Sequence, residues 1–232
     1  MKLFAKLSAL GAVLVVGSAF AAADTVTFGS YGTLNGQDGV APVLGPNQNV
    51  AVTYQNNPAP IQATYNIGSD GASTWAPAGP HSSWISYNPQ TGPTGNFIAP
   101  NGTYTYLTSF TIQNGGLYNG TLTVLADDTT SVWLDGSQII APGTIGSNAH
   151  CADGQPNCLV AATFVFSNYL LLGGGIHTLE FDVQQTGLVY EGLDFYGSIT
   201  SESPVPEPGT LMLLGTGLIG SASTLMRRIR KA

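Results

Sequence analysis

Every lysine and arginine of this chain lies at one of its two ends. Lys2 and Lys6 stand at the start, and Arg227, Arg228, Arg230 and Lys231 at the finish. Between Asp24 and Pro208 there is no Lys or Arg, and that stretch carries all 13 acidic residues. The chain is thus an acidic middle, near −13 with His neutral, between two basic flanks. Cationic flanks stay on the cytoplasmic side of a bacterial membrane, so the acidic middle is the part that crosses.

Each end has the build its charge suggests. At the N-terminus, Leu7 to Val16 is a short apolar stretch after Lys2 and Lys6, and small residues follow at Ala19-Phe20-Ala21 and Ala21-Ala22-Ala23. This is the layout of a secretory signal peptide over residues 1–23, cut after Ala23 to leave Asp24 first. The alternative, an uncleaved anchor, is disfavoured by the shortness of the run, since a spanning helix needs about 20 apolar residues. The predicted partners here are the Sec translocon and signal peptidase.

The C-terminal segment, 204–232, has three parts. Val205-Pro206-Glu207-Pro208-Gly209 comes first, then an uncharged run from Thr210 to Met226, then the basic end 227–232. At about 1.5 Å per residue the run spans roughly 25 Å as a helix, the short end of membrane length. Four basic residues at its end suit a membrane stop. Gly215, Gly217, Gly220 and Ser221 are small enough to let helices approach closely. Pro206 and Pro208 hold the motif extended, a shape suited to a peptidase cleft.

In motif, spacing and order this tail resembles the PEP-CTERM sorting signal of exported bacterial proteins. The resemblance implies that an exosortase recognises the tripeptide and removes the helix. It also implies passage through the inner membrane of a Gram-negative-type bacterium to the cell surface or extracellular matrix.

The middle, 24–203, has the length of one domain. Charged residues are only 8% of the chain, against about 25% in an average soluble protein. Solubility must come from Asn, Gln, Ser, Thr and Gly. A domain without basic residues cannot neutralise phosphate, which excludes nucleic acid as a partner. Neutral polysaccharide and Ca²⁺ remain compatible.

The hydrophobic pattern is that of β-structure. Tyr104, Tyr106, Thr108, Phe110 and Ile112 share one face of a period-two strand. Leu122 and Val124 oppose Thr121 and Thr123, and Leu179, Phe181 and Val183 alternate with Thr178, Glu180 and Asp182. Phe164 with Phe166 and Leu193 with Phe195 repeat the pattern. Asn101-Gly102, Asn114-Gly115-Gly116, Asn119-Gly120, Asp135-Gly136 and Gly173-Gly174-Gly175 are read as turns. Before Pro100, Val50 to Tyr54, Ile61 to Tyr65 and Trp84 to Tyr87 are the best strands, with long loops around them. Many short strands at this spacing predict an all-β antiparallel jelly-roll sandwich.

From Trp75 to Thr200 the order of landmarks is similar to the galactose-binding-like jelly roll. They are Ser83-Trp84-Ile85-Ser86, Tyr104-Thr105-Tyr106, Ala126-Asp127-Asp128, Ser131-Val132-Trp133-Leu134-Asp135-Gly136, Gly175-Ile176-His177-Thr178-Leu179 and Gly192-Leu193. The resemblance implies two antiparallel sheets, with end loops that bind glycans and a structural Ca²⁺ in many members.

The candidate glycan or calcium contacts are Asp127, Asp128, Asp135, Trp133 and Trp84. Carboxylates supply oxygens for Ca²⁺ or acceptors for sugar hydroxyls, and Trp offers a flat apolar face. The competing readings are structural. Asp at such places builds Asx turns and hairpins, and each of Trp75, Trp84 and Trp133 is first expected in the core. Cys151 and Cys158, in an oxidising compartment, are expected to form a disulfide that pins a surface loop; His150 beside them does not complete a zinc site. His81, His150 and His177 are scattered, and no Gly-x-Ser-x-Gly or His-Glu-x-x-His pattern is present. Glu180 and Asp182, with Glu191 and Asp194 nearby, are read as a solvated acidic face. Asn101-Gly-Thr103 and Asn119-Gly-Thr121 match the glycosylation sequon but are read as turns. The expectation is a non-enzymatic structural or adhesive protein of exopolysaccharide or biofilm, or else a carbohydrate-binding module.

Overall fold

The computed structural model describes residues 23–30, 45–54, 57–68, 74–146, 151–167 and 171–202, with positions 217, 220, 226 and 229 in the tail. Asp24–Glu202 forms one compact unit, and among its described residues every regular element is a strand. The order is β1 (Thr25–Gly29), β2 (Gly45–Tyr54), β3 (Asn57–Gly68), β4 (Trp84–Ser86), β5 (Gly102–Ile112) and β6 (Gly116–Asp127). Then come β7 (Thr129–Leu134), β8 (Ser137–Ile140), β9 (Ala162–Phe166), β10 (Leu171–Leu172), β11 (Gly175–Gln185) and β12 (Gly192–Ser201).

All pairings are antiparallel. The hydrogen-bonded path runs β10-β6-β12-β4-β3-β2-β5-β11-β7-β8, with β1 on β12 and β9 on β6. It doubles back on itself, because strands far apart along it touch face to face. Phe181 of β11 stacks on Phe195 of β12 with ring centroids 4.5 Å apart, and Phe28 of β1 meets Phe110 of β5 edge-on at 4.8 Å. One layer is therefore built on β9, β6, β12 and β1, the other on β2, β5, β11, β7 and β8. From β5 to β6, β6 to β7, β8 to β9, β10 to β11 and β11 to β12 the chain passes between layers, which is jelly-roll winding. The all-β sandwich read from the sequence is the fold observed.

The core follows from the alternation. Leu179, Phe181 and Val183 of β11 are fully buried, as are Tyr104 and Tyr106 of β5 and Leu122 and Val124 of β6. Their in-register partners are fixed by the ladder, with Phe181 opposite both Tyr106 and Val132. A one-residue slip would turn each of these side chains outward, so the buried pattern sets the register.

Two turn readings separate here. Asp135-Gly136 is a two-residue hairpin turn between Leu134 and Ser137, with φ of 48° and 78° at its two positions. Both angles are positive, the geometry for which Asp-Gly is favoured. Asn119-Gly120, in contrast, is no turn. It lies inside β6, with Gly120 opposite Ile199 of β12 and Phe166 of β9. A Cβ on Gly120 would stand 1.9 Å from the Ser198 carbonyl oxygen. The glycine is there because a neighbouring backbone comes too close for a side chain.

Cys151 and Cys158 are joined, with Cα atoms 5.6 Å apart, seven positions apart in sequence. The loop they close is tied to the sandwich by Ala152 N–H to Asp128 O at 3.2 Å and Ala126 N–H to Asn157 O at 3.3 Å. Thr129 Oγ1 also donates to Pro156 O at 2.6 Å. Replacing both cysteines by serine should lower stability by about 2 kcal/mol, from the lost constraint on so short a loop. Urea denaturation of the wild type and the double variant measures it, and unchanged midpoints would refute the tether.

Candidate functional site

The strands position two groups of polar side chains at opposite ends of β7. At about 3.3 Å per residue its length separates them by roughly 20 Å. One end, the loop pole, holds Asp127, Asp128, Glu191 and Asp194. The other holds Asp135 and His177.

At the loop pole all four acids are buried, Glu191 and Asp194 completely. The reading of Glu191 and Asp194 as part of a solvated face is corrected by this. Asp194 points inward because the segment around Gly79 and Ser30 covers the start of β12. Ser30 Oγ donates to Asp194 Oδ1 at 2.8 Å and Gly79 N–H to Oδ2 at 2.9 Å. Glu191 accepts from the Ser86 hydroxyl at 2.7 Å and from the Tyr106 hydroxyl. Asp128 Oδ2 accepts from both the amide and hydroxyl of Thr186, at 2.7 and 2.6 Å. Asp127 Oδ2 accepts from the Trp75 indole, while its Oδ1 is buried with no hydrogen-bond partner.

Each of these donors is a neutral hydroxyl, amide or indole, and no lysine or arginine exists between Asp24 and Pro208. A buried carboxylate with no cation beside it is penalised by lost solvation. Burial accordingly pushes Glu191 up to about 7, with the Tyr106 and Ser86 bonds pulling the other way. Burial raises Asp127 well above the usual carboxylate range, opposed by the Trp75 bond and reinforced by Asp128 and Glu191. Asp194 is raised by burial too, against its hydrogen bonds.

Trp75 and Trp84 form the floor of this pole, stacked at 4.3 Å. With Leu125 and the disulfide they make a second, smaller apolar cluster. Trp84 is 0% exposed, so its candidacy as a sugar-stacking residue is withdrawn: no ring face is left for a ligand. Trp133 differs. It is half-buried on the outer face of its sheet, between Glu180 of β11 and Gln138 of β8 in register.

At the far pole, Asp135 Oδ2 lies 2.6 Å from His177 Nδ1, and His177 Nε2 lies 3.0 Å from Gly173 O. Both partners are acceptors, so both contacts are hydrogen bonds only when the imidazole carries both protons. Burial disfavours its charge, but the bonds to Asp135 and Gly173 outweigh that and raise it above the ordinary histidine range. Asp135 is lowered: burial opposes this, and the bonds from His177 and the Thr178 amide prevail. The pair adds stability above the unfolded carboxylate range, lost as pH falls through the lowered Asp135 value. It also adds stability below about pH 6.5, lost as pH rises through the raised His177 value. Asp135→Asn should bring His177 down toward its ordinary range in an NMR titration; an unmoved midpoint would contradict the pairing.

Asp127 and Asp128 thus lie together and Asp135 apart, so the three do not converge on a shared calcium ion. Among the described residues no three His, Cys, Asp or Glu side chains gather to hold a metal. Sequence reasoning missed the bonds of Trp75 to Asp127 and of Tyr106 and Ser86 to Glu191. The available signal was the absence of any basic partner for acids set among apolar residues. Val205, Pro206, Glu207, Pro208, Arg227, Arg228, Arg230, Lys231 and His150 lie outside the described residues, as does most of the predicted helix 210–226. Of the tail, Gly217, Gly220, Met226 and Ile229 are helical. Among the described residues no helix is long and apolar enough to cross a membrane.

Residues 204–231 match the family model of the PEP-CTERM protein-sorting motif. No curated protein matches the chain. Among solved structures, it is similar to the Podospora anserina GH26-CBM35 beta-(1,4)-mannanase at 12% identity and a TM-score of 0.31, covering 79% of this chain and 29% of that one. A family 35 carbohydrate binding module from Clostridium thermocellum matches at 9% identity and 0.34, covering 70% of this chain and 100% of that one. The CBM36-1 domain of a xylanase from the Trinervitermes trinervoides hindgut metagenome matches at 10% and 0.28, over 78% and 100%. This chain therefore spans under a third of the mannanase. It carries a PEP-CTERM sorting motif, the mark of an exported protein processed by an exosortase.

Proposed function

We propose that this chain is a non-enzymatic protein of the bacterial cell surface or extracellular matrix, structural or adhesive in exopolysaccharide. The sorting motif at 204–231 carries this reading. It marks the chain as exported, and its processing would separate the acidic sandwich from the tail. The sandwich suits that destination. It has no lysine or arginine to attract nucleic acid or anionic lipid, and its loop pole is locked by a disulfide suited to an oxidising compartment. Fractionating the native host tests the proposal. The protein should be recovered with the extracellular polymer, at a mass lacking the residues beyond the motif. Recovery only in the inner membrane, with the tail attached, would overturn it.

A second reading, glycan binding, is favoured by Trp133. It is a half-exposed indole flanked in register by a carboxylate and an amide, an apolar face beside hydrogen-bonding groups. If the reading holds, Trp133→Ala weakens retention on the host polymer by roughly ten-fold or more, the loss of one anchoring aromatic. Titrating the folded variant against immobilised polymer measures this, and equal retention of both proteins would remove Trp133 from the site.

A further inference from the structure

We propose that Glu191 is a proton-operated clasp, holding the loop pole closed as a neutral carboxyl group and releasing it as a carboxylate. Glu191 joins several elements at this pole. Its two oxygens take hydroxyl donors from β5 (Tyr106) and β4 (Ser86). Its own amide donates to Thr91 Oγ1 at 3.3 Å. Just before it, Val189 O accepts from the Ala99 amide at 3.0 Å, and the Leu188 amide donates to Asn101 Oδ1 at 2.8 Å. Tyr190 packs against the Trp75 and Trp84 cluster. One side chain therefore anchors two surface segments, 87–101 and 186–191, to the sandwich.

The surroundings of that side chain decide its response. β5 contributes Tyr104 and Tyr106, and Tyr87 stacks on Tyr104. β6 ends in Asp127, whose in-register neighbour Gly192 directly follows Glu191. Asp128 lies beyond it, and β12 brings Asp194. From β11 the inward residue is the neutral Gln185, and β4 offers the Ser86 hydroxyl. Each titratable group facing Glu191 is therefore an acid or a phenol. Losing the proton creates a fully buried negative charge among groups that cannot offset it.

The sign follows. Unfolded, a glutamate titrates near 4.3, whereas in the fold burial holds Glu191 up to about 7. Folding therefore takes up a proton between these values. The stabilisation is complete below about pH 4 and is lost as pH rises through the folded value. The clasp is closed in mildly acidic surroundings and loosens in mildly alkaline ones.

Hydrogen exchange on the full-length chain in detergent tests this. Protection of segments 87–101 and 186–191 is compared at pH 5.5 and 8.5, after correction for the chemical exchange rate. The expected result is at least a ten-fold loss of protection at pH 8.5 in the wild type. Glu191→Gln should remove that difference, while Asp135→Asn, at the far pole, should keep it. Tyr106→Phe deletes a donor to the carboxylate and should move the midpoint to higher pH. Equal protection of the wild type at both pH values would overturn the clasp. So would an undiminished difference in a folded Glu191→Gln. Should that variant not fold, an unmoved midpoint in Tyr106→Phe does the same.

Discussion

Pro206→Ala combined with Glu207→Ala leaves the tail on the exported protein. The motif offers a peptidase one charge, Glu207, between two prolines, a residue type that favours extended backbone. Removing the charge leaves the enzyme's complementary group unpaired, at about 2–5 kcal/mol, and freeing the backbone adds an ordering cost. The processed fraction should therefore fall by well over ten-fold. Intact mass of the protein from the native host reads this directly. The wild type should lack the residues beyond the motif, and the variant should keep them. A variant cut as completely as the wild type would show that recognition lies elsewhere in the tail.

Phe181→Ala is the most damaging single change expected in the sandwich. The ring is 0% exposed and stacks on Phe195 across the two layers. Deleting it removes apolar burial and leaves a cavity between rigid sheets, at about 3–5 kcal/mol. Domains of this size have about 5–15 kcal/mol in total, so one ring carries a large part of the margin. Urea denaturation of the Asp24–Glu202 unit should show a lower midpoint at an unchanged slope. A loss under about 1 kcal/mol would mean that the layers repack freely.

These predictions draw on features of unequal legibility. Leu179, Phe181 and Val183 announce their strand through strict alternation, and β11 buries them in that order. Asp135-Gly136 announces its hairpin because few residues tolerate two positive φ angles in succession. Asn119-Gly120 misleads for a physical reason: glycine also serves where a neighbouring backbone comes close, and only the β12 register reveals that. Glu191 and Asp194 mislead likewise. They belong to a strand start that is covered on both faces, at one side by β4 and β5, at the other by Ser30 and Gly79. That covering comes from segments 85 or more residues away, and no local pattern encodes it. The pole containing Trp75, Trp84 and the disulfide is long-range in the same way. The sorting tail is the opposite case. Its motif, apolar run and basic end are contiguous, and their order alone is the signal.

The most direct test of a matrix role is binding of the folded Asp24–Glu202 unit to the host's own exopolysaccharide. The account predicts saturable retention, weakened by Trp133→Ala if that face is the contact. A folded unit that shows no retention at any concentration would contradict it, leaving an exported sandwich with an address but no hold on the polymer around it.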